Sequence, residues 1–359
     1  MAAARQSSGD IVVWGGEDES GPVADVWRST DDGGSWVLVT SSPGFGARQD
    51  MAGVALSDGT LIHVGGHDGV SYLTSTYVST DSGITFTQAG DIGGAMVTVA
   101  VVLANDHIVV AGGESGASTY EADVYMSADA ATTWTAQVAS AAPWSARGWH
   151  AMAVVGGSTV VLAGGVGTSG LFNDVWSSDD EGVTWTLVTS SAAWSPRQQF
   201  KMVLFNSTLW VVGGVDAAEQ HLNDAWSSVD GGASWQQSPS IGTRVAVTGA
   251  AAVVLSSGAL LVMGGEFPAL HDAVTVTQPV LSTRCTFRFL VPPPSRGRAY
   301  RCRVSRVASG AIDVCACGCV FVCGCVFVQG LGVKSRLQGQ CGRVARTLPL
   351  HASETATSC

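Results

Sequence analysis

Residues 1–282 contain no cysteine and few basic groups: 7 Lys+Arg stand against 27 Asp+Glu. Lack of cysteine excludes a disulfide framework in this stretch and leaves either side of a membrane open to it. Scarcity of Lys and Arg argues against nucleic acid as its partner, because phosphate recognition depends on those side chains. No Gly-x-Ser-x-Gly elbow, Walker A sequence or dinucleotide fingerprint occurs. The seven histidines include no His-x-His or His-Glu-x-x-His pair, so neither a metal centre nor a cofactor is expected. Nothing before Asp10 has the apolar core of a signal peptide.

What the chain does have is a glycine pair that returns about every fifty residues. It stands at Gly15-Gly16, Gly65-Gly66, Gly112-Gly113, Gly164-Gly165, Gly213-Gly214 and Gly264-Gly265, in steps of 50, 47, 52, 49 and 51. A second motif keeps step with it: Asp-Val-Trp or a relative, then Ser-x-Asp-x-Gly-x-x-Trp. The aligned pairs are Asp31 with Trp36, Asp81 with Phe86, Asp129 with Trp134, Asp180 with Trp185, and Asp230 with Trp235. Ala131 replaces the turn glycine of the third copy, and no sixth copy follows Gly265. Within one unit, Phe200–Phe205 and Leu209–Val212 read as strands parted by the turn Asn206-Ser207. Residues 224–228 form a third strand, and the turn at Asp230–Gly232 leads to a fourth, with Asp accepting backbone N–H groups and Gly supplying positive φ. Four strands per unit at this period predict an all-β propeller of about six blades, five complete and a sixth partial.

The glycine pair, the polar loop after it and the following Trp resemble the kelch repeat, as do Arg48, Arg147, Arg197 and Arg244 ahead of the first strand of a unit. The acidic hairpin resembles the Asp box of sialidase-like propellers, where it lies on the blade rim outside the catalytic centre. The resemblance covers about residues 11–270. A sialidase-like glycoside hydrolase would imply three Arg around a carboxylate, a Tyr–Glu nucleophile pair and an acid Asp. Its Phe/Tyr-Arg-Ile-Pro signature is absent. The kelch propeller of galactose oxidase would imply a Cys-crosslinked Tyr at copper, which a cysteine-free propeller cannot supply.

Composition divides the chain near residue 282. All twelve Trp precede that point and all nine Cys follow it; residues 283–359 carry 11 Lys+Arg against 2 Asp+Glu. We expect a propeller over 1–282, with units at about 10–40, 47–90, 95–138, 147–189, 197–237 and 244–280. The Cys- and Arg-rich tail, residues 283–359, admits three readings. It is sequence foreign to the fold, or a membrane span at Val314–Val333, or a thiolate cluster around Cys315–Cys325. Unit one opens at Asp10 with what corresponds to a second strand, so its first strand is expected to be missing and ring closure to be imperfect.

With no reactive constellation, the expected function is recognition by a monomeric scaffold that binds a protein or a glycan. The loops after the glycine pairs and the links between blades should open on one face. That face would gather Arg48, Trp144, Arg147, Trp149, His150, Trp194, Arg197 and Arg244, residue types enriched in binding surfaces. The alternative for Trp144 and Trp194 is that they cover the ends of neighbouring blades.

Overall fold

A computed structural model describes residues 1–93, 99–137, 142–238, 248–255, 259–267, 269–270 and 274–277, with strand segments at 289–290, 303–305 and 314–316. It is an all-β propeller. Five consecutive antiparallel sheets of four strands form blades 1 to 5. Blade 4 shows the plan: Ala151–Val155, Thr159–Gly167, Gly170–Ser178 and Thr186–Thr189, in that order across the sheet. The sixth sheet pairs Ala251–Val254, Leu260–Met263, Val274–Thr277 and Phe289–Leu290, so its last strand lies past residue 282. Of the tail span Val314–Val333, only residues 314–316 are described, as a short strand. No helix among the described residues is long and apolar enough to cross a membrane.

The first strand of blade 1 is present, contrary to the sequence expectation. Ala2–Arg5 pairs antiparallel with Ile11–Asp18, Ala2 facing Trp14 and Arg5 facing Ile11. Four small or polar residues carry none of the β-branched or aromatic signal of a strand. The innermost strands crowd around the axis, and Ala52, Ala151 and Ala251 begin the innermost strands of blades 2, 4 and 6 just as Ala2 begins that of blade 1. The ring closes by contact between the innermost strands of blades 1 and 6, with Ile11, Leu261 and Met263 in one buried cluster. Among the described residues no strand is exchanged across this seam.

Six buried apolar clusters account for the core, one in each blade–blade seam. The hairpin aromatic of each of the first five blades reaches back into the seam with the preceding blade. Trp36 packs against the sixth-blade cluster, Phe86 joins blade 1, Trp134 joins blade 2, Trp185 joins blade 3 and Trp235 joins blade 4. The hairpin that aims them is a closed set of hydrogen bonds. Ser29 Oγ donates to Asp31 Oδ1 (2.8 Å) and accepts from Gly33 N (2.8 Å), while Ser35 N and Oγ donate to the same carboxylate. The set recurs around Asp81, Asp129, Asp180 and Asp230. These bonds hold Asp230, the strongest case, down at about 2, with the Ser234 hydroxyl as the largest contributor.

Candidate functional site

The glycine pairs mark where one blade meets the link into the next. Gly16, Gly113 and Gly165 each donate an N–H to the carbonyl of the coming arginine, Arg48, Arg147 and Arg197, all at 2.9 Å. A Cβ on Gly165 would lie 2.6 Å from the Gly148 carbonyl, so only glycine permits that approach. Link residues then pair with the residue following the glycine pair of their own blade: Gln49 with His67, Gly148 with Val166, Gln198 with Val215. Inter-blade links and second-to-third-strand loops therefore share one end of the ring.

The arginines lie beneath that end. Arg147 and Arg197 are fully buried. Arg147 donates to the Gly164 carbonyl (2.9 Å) and grips Asp174 through both terminal nitrogens (2.6 and 2.8 Å). Arg197 repeats this with the Gly213 carbonyl (2.9 Å) and Asp224 (2.6 and 2.9 Å). Trp176 and Trp226 donate their indole N–H to the same carboxylates at 2.8 and 2.7 Å, which explains why Asp and Trp stand two residues apart in the third-strand motif. Asp174 and Asp224 are both held below the usual carboxylate range; burial, the largest influence, opposes this, and the arginine and indole hydrogen bonds overcome it. In blade 2 the carboxylate is replaced by Ser75, which accepts from Arg48 at 3.2 Å, and Arg48 lies 5.1 Å from the Tyr77 ring centroid. Buried His63 completes that pocket. Its Nδ1 accepts from Trp14 (3.1 Å), so its proton sits on Nε2, toward the Gly65 carbonyl (3.1 Å). Burial first, then Arg48, pushes His63 down to about 3, and burial with Arg147 does the same for His150.

Trp144 and Trp194 are also buried, 5.7 and 5.9 Å from their neighbouring arginines and edge-on to Trp185 and Trp235. The links thus gather Arg48, Trp144, Arg147, His150, Trp194 and Arg197 at one end of the ring as its foundation. Trp149 is half-buried and belongs to none of the core clusters. Arg244 lies outside the described residues. Arg147 and Arg197 are each committed to an aspartate of their own blade.

Sequence reasoning missed a set of residues beside the innermost strands at the same end of the ring. Two positions after each arginine the backbone turns left-handed: Asp50 (φ 57°), Trp149 (φ 55°) and Gln199 (φ 57°), with Gly249 (φ 65°) at the equivalent place in blade 6. Backbone bonds join three of them around the ring, Gln199 N to Trp149 O (2.9 Å) and Gly249 N to Gln199 O (3.2 Å). Lys201 starts the innermost strand of blade 5, where blades 1, 2, 4 and 6 have alanine. It is the one lysine in residues 1–282. It belongs to none of the ion pairs within 4 Å among the described residues, and its charge acts on Asp50 across the ring. Burial lowers the Lys201 amine against the pull of Asp50, and raises the Asp50 carboxyl against the pull of the buried Met1 ammonium first, then of His67 and Lys201. Beside them, Tyr72 packs edge-on to His67 (4.6 Å between centroids) and Tyr120 stands over Gly148. Burial, then Glu114, pushes both phenols up. The one signal in the sequence was the departure of Lys201 from the alanine of its repeat position. Among the described residues no group of His, Cys, Asp and Glu could hold a metal ion.

Residues 78–265 match the KLHDC2/KLHL20/DRC7 Kelch-repeats domain. The solved structure of YjhT superposes with a TM-score of 0.65 at 14% identity, covering 80% of this chain and 96% of that one. At that identity the likeness speaks for the fold alone. No curated protein sequence matches the chain.

Proposed function

The chain belongs to the KLHDC2/KLHL20/DRC7 Kelch-repeats family, and from that premise we propose that it is a non-catalytic recognition scaffold that binds a protein partner through the loop end of the ring. The observation that carries this is a constant frame under variable loops. Arg, Asp and Trp lock the same joint in blades 4 and 5. Above that joint the loops change. Blade 1 turns at once between Asp18 and Gly21, whereas blade 2 runs from Gly65 to Thr74 with Val70 exposed at its tip. Variation over a rigid base is how a repeat scaffold changes partner without changing fold.

The test is partner capture by the full chain from extracts of its own source, repeated with Val70→Asp on the loop end and Asn206→Asp at an exposed turn on the opposite end. Loss with the first and retention with the second is the expected result. Loss only with the second, or turnover of a glycoside that Asp50→Asn abolishes in the folded protein, would overturn it.

A further inference from the structure

We infer that Asn206 is an acceptor for an N-linked oligosaccharide, displayed on the end of the ring opposite the loop end. This goes beyond the recognition reading and does not rest on it.

The sequence provides the first argument. The chain has four asparagines, Asn105, Asn173, Asn206 and Asn223. Three of them precede Asp and then His107, Val175 or Ala225. Asn206 alone precedes Ser207 and Thr208, the Asn-x-Ser/Thr pattern on which oligosaccharide transfer depends. The hydroxyl two positions on is read together with the carboxamide, so both side chains must be within reach.

The turn provides the second. Lys201–Phe205 and Thr208–Val212 pair antiparallel with Phe205 facing Thr208, so only two residues connect them. Asn206 (φ 46°) and Ser207 (φ 57°) are both left-handed and both exposed, as the tip of a tight hairpin requires. Asn105 and Asn173 spend their carboxamides within the protein. Asn105 donates to Glu181 (2.9 Å), and Asn173 donates to the carbonyls of Ala192 (3.0 Å) and Trp194 (3.1 Å). The Asn206 carboxamide has no hydrogen-bond partner among the described residues, where only its main-chain carbonyl accepts a side-chain hydroxyl.

Blades 4 and 5 provide the third. Thr159 and Thr208 each begin the second strand of their blade. In blade 4 the Thr159 hydroxyl is tied to Asp179 (2.6 Å). Val160 faces Ser178 and Leu209 faces Ser228, so Val229 holds in blade 5 the place of Asp179. Without a carboxylate opposite it, the Thr208 hydroxyl reaches only the Asn206 carbonyl, at 3.3 Å. Val229 itself is 81% exposed. The hydroxyl is thus released from the frame that holds its counterpart, beside the one asparagine that can use it.

The transfer is a substitution at the anomeric carbon of an oligosaccharide carried on a lipid pyrophosphate. The Asn206 amide nitrogen bonds to that carbon and gives up one proton. The anomeric C–O bond breaks, and the lipid pyrophosphate leaves with its electron pair. Donor and transferase belong to a secretory membrane, and a propeller without cysteine folds on that side with no need of disulfides.

The experiment is mass spectrometry of the full chain purified from its own source, before and after peptide-N-glycosidase in heavy-oxygen water. We expect the peptide that carries Asn206 to bear a glycan, and release to leave a labelled Asp at that position. Asn206→Gln and Thr208→Ala should each abolish the modification, and Thr208→Ser should retain it, with folding intact in all three. Recovery of that peptide in the unmodified form alone overturns the assignment, as does a glycan on Asn206 that persists in Thr208→Ala.

Discussion

The seam between blades 4 and 5 and the seam between blades 5 and 6 are built from the same repeat, yet they are filled differently. The first buries Trp194, Phe200 and Trp235 together, with rings 5.7 and 6.0 Å apart. The second holds Val212, Ala225, Ala250, Leu260 and Val262, with no aromatic in its buried set among the described residues, and contains the cleft beside Lys201. The difference follows from one missing element. Each acidic hairpin sends its aromatic back into the preceding seam, and the sixth unit's sequence carries no copy of that hairpin to send one into the fifth. The hairpin is therefore a packing device for its neighbour as much as a turn of its own blade, and where its sequence is absent a small, mainly apolar cleft remains beside Gln199 and Lys201.

Three measurements sharpen that comparison. Trp235→Ala should remove the filling of the tight seam and cost about 3–5 kcal/mol in urea unfolding, the usual range for a buried aromatic. A much smaller loss would mean that the fourth and fifth blades are held by their strands alone. Acid should act on the seams that bury histidine before it acts on the open one. His63 and His150 are pushed down to about 3, below the value of about 6.5 expected of the unfolded chain. The unfolded state then binds more protons between those values, so stability falls as pH drops from about 6.5 toward 3, by a few kcal/mol. His63→Phe should flatten that slope; an unchanged slope would remove His63 as its source. Smallest is Lys201→Met. Burial penalises the ammonium, so its replacement should stabilise the open seam by about 1 kcal/mol at neutral pH. The gain should fade as pH rises toward 10.5, where the unfolded amine also loses its proton. A destabilised variant would show that the lysine is a structural strut.

The ring was legible in the sequence because its joints admit so few residue types. Gly15 is one case: its φ is 55° and a Cβ there would lie 2.9 Å from the Arg48 carbonyl, so chemistry forces the motif into view. The acidic hairpins were legible for a similar reason, since one carboxylate satisfies several backbone and hydroxyl donors at fixed offsets. Ala2–Arg5 escaped because the axis selects small residues, and smallness is not a strand signal. Arg48, Arg147 and Arg197 lie buried beneath that end, and depth is not written in a one-dimensional pattern. A residue that looks like a contact and one that supports a contact differ only by two positions, as Arg48 and Asp50 do. Asp50 and Gln199 gave no sign of their left-handed backbone, because only glycine advertises that conformation by its identity.

Ala2–Arg5 completing blade 1 from its own end of the chain has a kinetic consequence. Every leaflet is finished before synthesis of the next begins, so each can dock on its predecessor through local contacts as the chain emerges. Only the meeting of Ile11 with Leu261 waits for about 250 residues to be made. That junction is then the last to form. With no strand borrowed to latch it among the described residues, it should also be where the circle comes apart first.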